Sequence, residues 1–378
     1  LRDWVDDYRT VYNPIEYVLE ETDATTLNYD GFKYVIGIYN TAGSTLLAKL
    51  KVPIDVNNYG RCDVHGVCEN YLTTDLGVID TDITTPTGAA FTNNANSYYT
   101  FVIKFGEEYD SGSGMTETFP MTYDKDGSPT TSETLITFNG SLPNYRGTVV
   151  NFYDWQAANY YQNYTVNALT RNWLTNQPNI AINSADNLNV ELTDSGWLYF
   201  LYDHASNPSD EMIVTTYNSS GGTVATFVID NTVLAAANKS AKVPSSPQSL
   251  NDILPALVTS GSQPIIPTTG VTSYSLYLSN SSTRVSDYMY FTLSSECRYE
   301  VRRLEFLNSL GGFDCFNFTK VSKRTEDIER KFFKMNQDNL NSSTGAISYD
   351  IADREKVQYY TVSRPKMKVT SDWLSVSK

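Results

Sequence analysis

The stretch RRLEFLNSLGGFDCFNFTK, residues 302–320, places two runs rich in apolar residues on either side of two adjacent glycines. Such runs favour strands, and a short Gly-containing connection between them favours an antiparallel hairpin. We therefore expect residues 304–307 to pair with residues 315–318. In that hairpin the pair Gly311-Gly312 supplies a residue that accepts a positive φ at the turn, and Phe313 packs beneath it.

A glycine pair of this kind also occurs in phosphate-binding loops and in nucleophile elbows. A Walker loop places Lys and a hydroxyl residue after its last glycine, whereas Phe313 and Asp314 follow Gly312 here. A nucleophile elbow places Ser or Cys between its glycines, whereas Cys315 follows the pair and enters a predicted strand. The glycines are therefore expected to be structural.

The composition extends the strand prediction to the whole chain. Of 378 residues, 13% are aromatic, including 28 Tyr, and 19% are charged. Short strands separated by turns predict a mainly β protein with two or three β-sandwich- or barrel-like domains and a few short helices. Among the expected elements are strands at 31–40, 45–55, 98–105, 134–138, 148–153, 197–203, 212–218, 223–230 and 273–280 and helices at 154–161 and 167–174. The expected division is an N-terminal β domain at 1–105, a second β domain at 106–241, a Pro- and Ser-rich linker at 242–270 and a C-terminal β domain at 271–378.

Residues 106–132 are polar and Gly-rich without hydrophobic periodicity. A segment of this kind predicts an exposed loop, projecting from its domain and contacting a neighbouring subunit or a host glycan. Asp124, Asp126 and Glu133 imitate part of a calcium loop, but the first acid, the aliphatic residue and the flanking helices of an EF-hand are missing. These three residues are kept as candidates for a looser Ca²⁺ site, and no cofactor is expected.

The Cys, His and paired carboxylate side chains of the sequence form no recognisable catalytic pattern. Cys62, His65 and Cys68 stand at three-residue steps, but zinc usually takes four such ligands, so buried thiols and a surface imidazole are expected. Carboxylates at 107–110 and 210–211 lie among turn residues and are expected in solvated loops. Because the chain has only 2 His, few catalytic triads are open to it, and no enzyme activity is expected.

The formal net charge of −15 argues against two classes of partner. A nucleic-acid backbone and an anionic membrane surface both need several cationic contacts, so neither is expected to bind. The densest basic stretches, 320–324 and 364–368, are short and are expected to be solvated strand ends. No window approaches the roughly 20 apolar residues of a membrane span.

The two ends of the sequence predict a longer polypeptide. The chain starts without Met, and it closes on VTSDWLSVSK, in which Ser371 and Asp372 resemble a helix N-cap and first turn. Only four residues follow Leu374, too few for a stable helix. We expect the polypeptide to continue beyond both ends; the alternative is a true C-terminus with Trp373 packed on the last domain.

Several phrases together resemble virion structural proteins of tailed phages that infect Bacteroidota, including crAss-like and related marine phages. The resemblance runs in order over residues 13–374 and is carried by NPIEYVLEETDATTLNYDGFKYVIGIYN, GRCDVHGVCENYLTTDL, FNGSLPNYRG, RNWLTNQPNI, SGWLYFLYD, RRLEFLNSLGGFDCFNFTK and VTSDWL. It implies a β-rich tail or tail-associated subunit of a virion, such as a ring, collar or baseplate-like part. Such a subunit acts by assembly with copies of itself and other virion proteins, and no catalytic residues are carried over.

Two other functions remain open from the sequence. A β-sandwich adhesin or receptor-binding protein could bind a host surface glycan on exposed Tyr and Trp. A glycan-cleaving enzyme is the third class, because paired carboxylates occur in the chain.

Overall fold

The computed structural model describes residues 8–73, 90–125, 128–141, 165–166, 173–177, 181–184, 187–202, 210–231, 234, 239–267, 269–294, 298–334, 339–341, 343–348 and 356–371. These residues form a mainly β protein with several separate sheets and a few short helices. The expected strand at 148–153 and the expected helix at 154–161 lie outside them. The expected helix at 167–174 is described only at its last two residues, which are not helical.

The first sheet has six strands. They are β1 (Tyr8–Thr10), β3 (Asp30–Tyr39), β4 (Leu46–Pro53), β7 (Tyr98–Asp110), β8 (Met115–Thr118) and β11 (Glu133–Phe138). Their order is β1-β11-β7-β3-β4, with β8 paired to the far end of β7. β1 runs parallel to β11, and the other pairs are antiparallel. β3 and β4 were both predicted, since their β-branched and aromatic residues surround an Asn-containing turn.

A small hairpin layer covers this sheet. β2 (Glu16–Glu20) pairs with β5 (Tyr59–Asp63), and α1 (Ala24–Leu27), α2 (His65–Cys68) and a 3-10 turn at Glu69–Tyr71 lie beside them in the chain. Alternate residues of β2 are buried, as the period of a half-buried strand requires. The resulting core contains Val11, Ile15, Tyr17, Leu19, Phe32, Tyr34, Ile36, Ile38, Val64, Cys68, Leu72, Phe101, Ile103, Phe105 and Leu135.

Two further sheets contribute to a second core. The four-stranded sheet has the order β12 (Thr165–Val166), β14 (Trp197–Tyr202), β17 (Ser240–Pro244), β6 (Thr92–Asn93). The seven-stranded sheet contains β13 (Leu188–Val190), β15 (Glu211–Tyr217), β16 (Thr223–Asp230), β18 (Val258–Ser260), β19 (Ser273–Asn280), β20 (Thr283–Arg284) and β21 (Met289–Leu293). Its order is β13-β21-β19-β15-β16-β18, with β20 paired to β19. Buried side chains of both sheets belong to one hydrophobic cluster, including Phe200 and Val243 of the four-stranded sheet and Val214 and Leu276 of the seven-stranded sheet.

The predicted hairpin at 302–320 is present. β22 (Arg302–Leu307) pairs with β23 (Phe313–Phe318) across the five residues 308–312. A parallel pair would need a connection of a dozen or more residues, so this pair is antiparallel. A second short hairpin, β9 (Tyr123–Lys125) with β10 (Ser128–Thr130), precedes β11 in the chain.

The chain divides into two compact units. Unit 1 contains residues 1–295, 305–316 and 375–378, and unit 2 contains residues 296–304 and 317–374. Unit 2 is dominated by an antiparallel two-stranded ribbon of β24 (Lys323–Lys334) and β27 (Lys356–Lys368), hereafter the ribbon. Between its strands, β25 (Asn339–Leu340) pairs with β26 (Ile347–Ser348).

The predicted boundaries within unit 1 need correction. The boundary at 105/106 cuts through β7, which continues to Asp110 because its far end pairs with both β3 and β8.

The segment 242–270 is not a linker, since it contains most of β17, α3 (Pro247–Asn251), a 3-10 turn at Pro255–Leu257 and the core residues Leu250, Ile253, Ile265 and Ile266. Two of its five prolines, Pro247 and Pro255, begin helical turns, where a missing N–H costs nothing. One more 3-10 turn, Ala95–Ser97, precedes β7. The sheets formed by the described residues are open, and none of them closes into a barrel.

Candidate assembly surface

The turn of the β22–β23 hairpin is organised by one buried side chain. The Oδ1 of Asn308 accepts hydrogen bonds from the backbone N–H groups of Leu310 at 2.9 Å and Gly312 at 3.2 Å. Its Nδ2 donates to the carbonyl oxygen of Leu174 at 2.9 Å. Because Asn308 is buried, these bonds satisfy backbone groups that water does not reach.

Both glycines of this turn lie against protein backbone. Gly311 has a φ of +89°, and a β-carbon on it would overlap with the carbonyl oxygen of Asn139. A β-carbon on Gly312 would overlap with the carbonyl oxygen of Leu174. The space that a phosphate would need is therefore filled by the chain itself.

The turn carries apolar residues into a third hydrophobic cluster. Leu310 is buried there with Ile136 and Phe138 of β11 and Tyr199 and Leu201 of β14. Phe313 is half-buried, and its ring centroid lies 5.9 Å from that of Tyr199. The turn of the hairpin thus packs between strands of two different sheets of unit 1.

The three candidate calcium ligands are not brought together. Asp124 is exposed on β9, and Asp126 lies outside the described residues. Glu133 is buried at the start of β11, where it accepts a hydrogen bond from the Tyr123 hydroxyl at 2.8 Å. In the part of the chain that the structure describes, no group of three or more His, Cys, Asp and Glu is placed to hold a metal.

The thiol and imidazole groups at 62–68, all within the described chain, form no group placed to hold a metal. Burial raises the pKa of Cys62 to about 11 and that of Cys68 to about 12, so both stay protonated at neutral pH. The His65 Nδ1 lies 2.8 Å from a carboxylate oxygen of Asp63, which holds the ring beside α2. Neither thiol is activated as a nucleophile or metal ligand.

The carboxylates of β7 differ from the sequence expectation. Glu107 and Glu108 are buried on a strand rather than solvated in a loop. Glu108 forms an ion pair with Lys51 of β4. Glu107 hydrogen-bonds to the carboxyl group of Glu21, in a cleft of about 470 Å³ lined by residues 19–22, 34, 105–107 and 121–124.

Glu21 and Glu107 share one proton. Burial, followed by the hydrogen bond and charge of Glu21, raises the pKa of Glu107 to about 8. Burial also opposes ionisation of Glu21, but hydrogen bonds from Glu107 and from the backbone N–H of Asp23 lower its pKa overall. The carboxyl group of Glu107 is therefore the protonated one at neutral pH, and its O–H donates a hydrogen bond to the Glu21 carboxylate.

The ribbon of unit 2 is exposed along its whole length. Every residue of β24 is exposed, and in β27 only Val357 and Val362 are partly covered. Among the described residues the two strands pair only with each other, so the outer edge of each presents backbone N–H and C=O groups without a strand partner.

The ribbon carries large apolar side chains that a solvated element does not need. Ile328, Phe332, Phe333, Tyr359, Tyr360 and Met367 are each between 40% and 62% exposed. Residues 328 and 332 lie on one face of β24 and residue 333 on the other, because successive strand residues alternate. Both faces of the ribbon are therefore partly apolar.

The register joins the two basic stretches that the sequence placed 40 residues apart. Lys323 lies opposite Lys368, Arg324 opposite Met367 and Thr325 opposite Lys366. β24 itself was not predicted, because eight of its residues are charged and no apolar alternation marks it. The similar length of two polar runs, 12 and 13 residues, on either side of the Asn- and Gly-containing connection 335–355 is the signal that could have identified it.

Comparison with known proteins leaves the family open. No protein-family model matches the chain, and no curated protein matches it significantly. No helix in the described part of the chain is long and apolar enough to cross a membrane.

Proposed function

We propose that the chain is a structural subunit of a tailed-phage virion, in the tail or a tail-associated ring, collar or baseplate-like part. It acts by assembly with copies of itself and with other virion proteins, and not by catalysis. The observation that carries this proposal is the ribbon, which exposes both faces, both outer edges and six large apolar side chains. The sequence resemblance over residues 13–374 supports the same role.

The physical argument concerns the stability of the ribbon. An isolated two-stranded hairpin is marginally stable in water, and it usually needs a third strand or a packed face. Exposed aromatic and aliphatic residues on a monomer typically mark an interaction site. A neighbouring protein that covers the ribbon would supply both the packing and the missing strand partners, which is what a virion assembly offers.

We also propose that the four-stranded and seven-stranded sheets form a β-sandwich-like domain. Side chains of both sheets enter one hydrophobic cluster, as two facing sheets require. Such a domain gives a rigid body on which an assembly surface can be held, and sandwich domains of this type occur in many proteins that act by binding.

The proposal is tested on particles of a Bacteroidota phage that carries this coding sequence. Mass spectrometry of purified particles is expected to detect the chain, and a symmetric reconstruction is expected to place several copies in the tail region. Absence from the particle would overturn the proposal. Specific glycan binding by the purified chain, with a peripheral position on the particle, would instead favour the adhesin, and release of reducing ends from host glycan would favour the enzyme.

A further inference from the structure

We propose that the ribbon of one copy docks on the acidic surface that residues 1–322 of a second copy present. Copies then associate head to tail through opposite charges. This inference rests on the proposed assembly function and identifies the partner of the same surface as a second copy of this chain.

Charge divides the chain into two complementary parts. β24 and β27 contain nine Lys or Arg and three Asp or Glu, a formal charge of +6. The connection 335–355 carries −3 and residues 369–378 are neutral, so within a total of −15 residues 1–322 carry −18. Residues 1–322 are hereafter called the acidic body. Opposite charges of this size steer two copies together, and they favour contact of a ribbon with an acidic body over contact between two ribbons or two acidic bodies.

The ribbon also carries like charges directly opposite one another at both ends. Lys323 faces Lys368 at one end, and Lys334 faces Lys356 at the other. Like charges in such cross-strand pairs destabilise a hairpin. The three acidic residues of the ribbon lie in the middle of β24, where Asp327 is paired with Lys366. An anionic partner along the ribbon would offset the repulsion between Lys323 and Lys368.

The apolar residues favour a protein over a nucleic acid as this anionic partner. Ile328 and Met367 are exposed aliphatic side chains, which gain stability from packing against protein but not from contact with phosphate. A DNA or RNA strand would also be repelled by the −18 charge of residues 1–322. A second copy offers negative charge together with a protein surface.

The geometry of this contact determines what it can build. Each copy has one ribbon and one acidic body, so the contact is heterologous and leaves a free ribbon and a free body at the ends of any chain of copies. Heterologous contacts produce closed rings or open filaments rather than isolated dimers. Self-association into closed rings or open chains of copies is therefore expected.

The first test is a double charge reversal, Lys323→Glu with Lys368→Glu. Because the two residues face each other, the variant keeps a like-charge pair while the ribbon falls from +6 to +2. The matched control, Arg61→Glu with Arg298→Glu, makes the same change in net charge at exposed residues within 1–322, where added negative charge does not weaken attraction to a cationic ribbon. Circular dichroism is used to check that both variants remain folded.

Sedimentation velocity on the full chain measures self-association of the three proteins. The wild type and the control are expected to form oligomers, and the ribbon variant is expected to need at least about tenfold more protein to do so. Raising NaCl from about 0.05 M to about 0.5 M, which shortens the Debye length severalfold, is expected to dissociate the wild type. A monomeric wild type, or equal association of both variants, would overturn the inference.

The second test identifies the contacting surfaces. Isotopically labelled and unlabelled copies are mixed and treated with a zero-length carbodiimide, which joins Lys to Asp or Glu only when they touch. Cross-links between ribbon lysines of one copy and carboxylates within 1–322 of the other are expected. If association joins ribbon to ribbon, or if the ribbon retains a DNA oligonucleotide while the chain stays monomeric, a second copy's acidic body is not its partner. Either outcome would overturn this inference without deciding whether the chain is a virion subunit, which the particle experiment tests separately.

Discussion

Gly311 lies against the carbonyl oxygen of Asn139, the residue that follows β11, so closely that no β-carbon fits between them. The contact joins the turn of the β22–β23 hairpin to the end of a strand in the six-stranded sheet. Because Gly311 also has a φ of +89°, this position excludes other residues for two separate reasons.

Gly311→Ala is expected to destabilise the protein by about 3 kcal/mol or more, since backbone strain and overpacking each cost roughly 1–3 kcal/mol. Gly270→Ala is the matched control, because Gly270 has a φ of +81° and nothing lies within 4 Å of its missing β-carbon. The control isolates the conformational cost, roughly 1 kcal/mol. Chemical denaturation measures both, and equal losses would show that the close approach to Asn139 contributes nothing.

Asn308→Ala is expected to destabilise the protein by about 3 kcal/mol, because it leaves buried backbone groups of the turn without their hydrogen-bond partner. Asn218 makes the same type of turn in the β15–β16 hairpin, where its Oδ1 accepts from the N–H groups of Ser220 at 3.1 Å and Gly222 at 2.8 Å. That turn is open to solvent, so Asn218→Ala is expected to cost below about 1 kcal/mol. Similar losses in both variants, measured by urea unfolding, would contradict the role of burial.

Much of the β structure could be predicted from the sequence. β3, β4, β14, β15, β16 and β19 match expected strands within a few residues, because each is dense in apolar, β-branched or aromatic residues and is bounded by turn residues. The β22–β23 hairpin followed from the same pattern. These strands are stabilised by burial of their own side chains, which leaves a clear signal in the sequence.

The remaining features depend on contacts that are distant in sequence. The cost of burying Glu107 is reduced by Glu21, which lies 86 residues earlier, so the end of β7 could not be predicted from its local acidity. The segment 242–270 enters the core through scattered residues such as Leu250 and Ile265, which composition alone does not separate from a linker. β24 has no buried face in the described chain, so no apolar alternation marks it, and only the similar length of the polar run at 356–368 points to its pairing with β27.

Glu107→Gln is expected to change how stability depends on pH. In the unfolded chain this carboxyl group titrates near its ordinary pKa of 4.5, whereas in the folded protein its pKa is about 8. The folded state therefore binds more protons than the unfolded state between these values, and the free energy of unfolding falls as pH rises through this window. One proton accounts for a slope of up to about 1.4 kcal/mol per pH unit.

The Gln side chain keeps a donor for the Glu21 carboxylate and removes the titration. Glu107→Gln is thus expected to flatten the decline between pH 4.5 and 8 and to be more stable than the wild type at the upper end. Glu69→Gln, at an exposed position after α2, serves as the control and should keep the wild-type slope. Urea unfolding at a series of pH values gives all three curves, and an unchanged slope in Glu107→Gln would refute the shared proton.

The first half of the segment 106–132 was expected to project as a loop, and the structure instead holds it on its own sheet. β8 pairs with β7, and the ring of Phe119 lies where β-carbons on Gly37 of β3 and Gly106 of β7 would be. The Lys49 Nζ lies 4.8 Å from the centroid of the same ring. The two glycines therefore form a flat site on the sheet that accepts an aromatic ring.

Phe119→Ala is expected to destabilise the protein by about 1–3 kcal/mol, less than for a fully buried Phe because the ring is half-exposed. It should also speed proteolytic cleavage within residues 111–122, since loss of the ring frees the connection that follows β8. Met115→Ala is the control: Met115 is 58% exposed on β8, so its truncation should change neither stability nor cleavage. Limited proteolysis with mass-spectrometric mapping of the cut sites measures the effect. If Phe119→Ala and the wild type were cleaved at equal rates and positions, the packing of this segment on the sheet would be excluded.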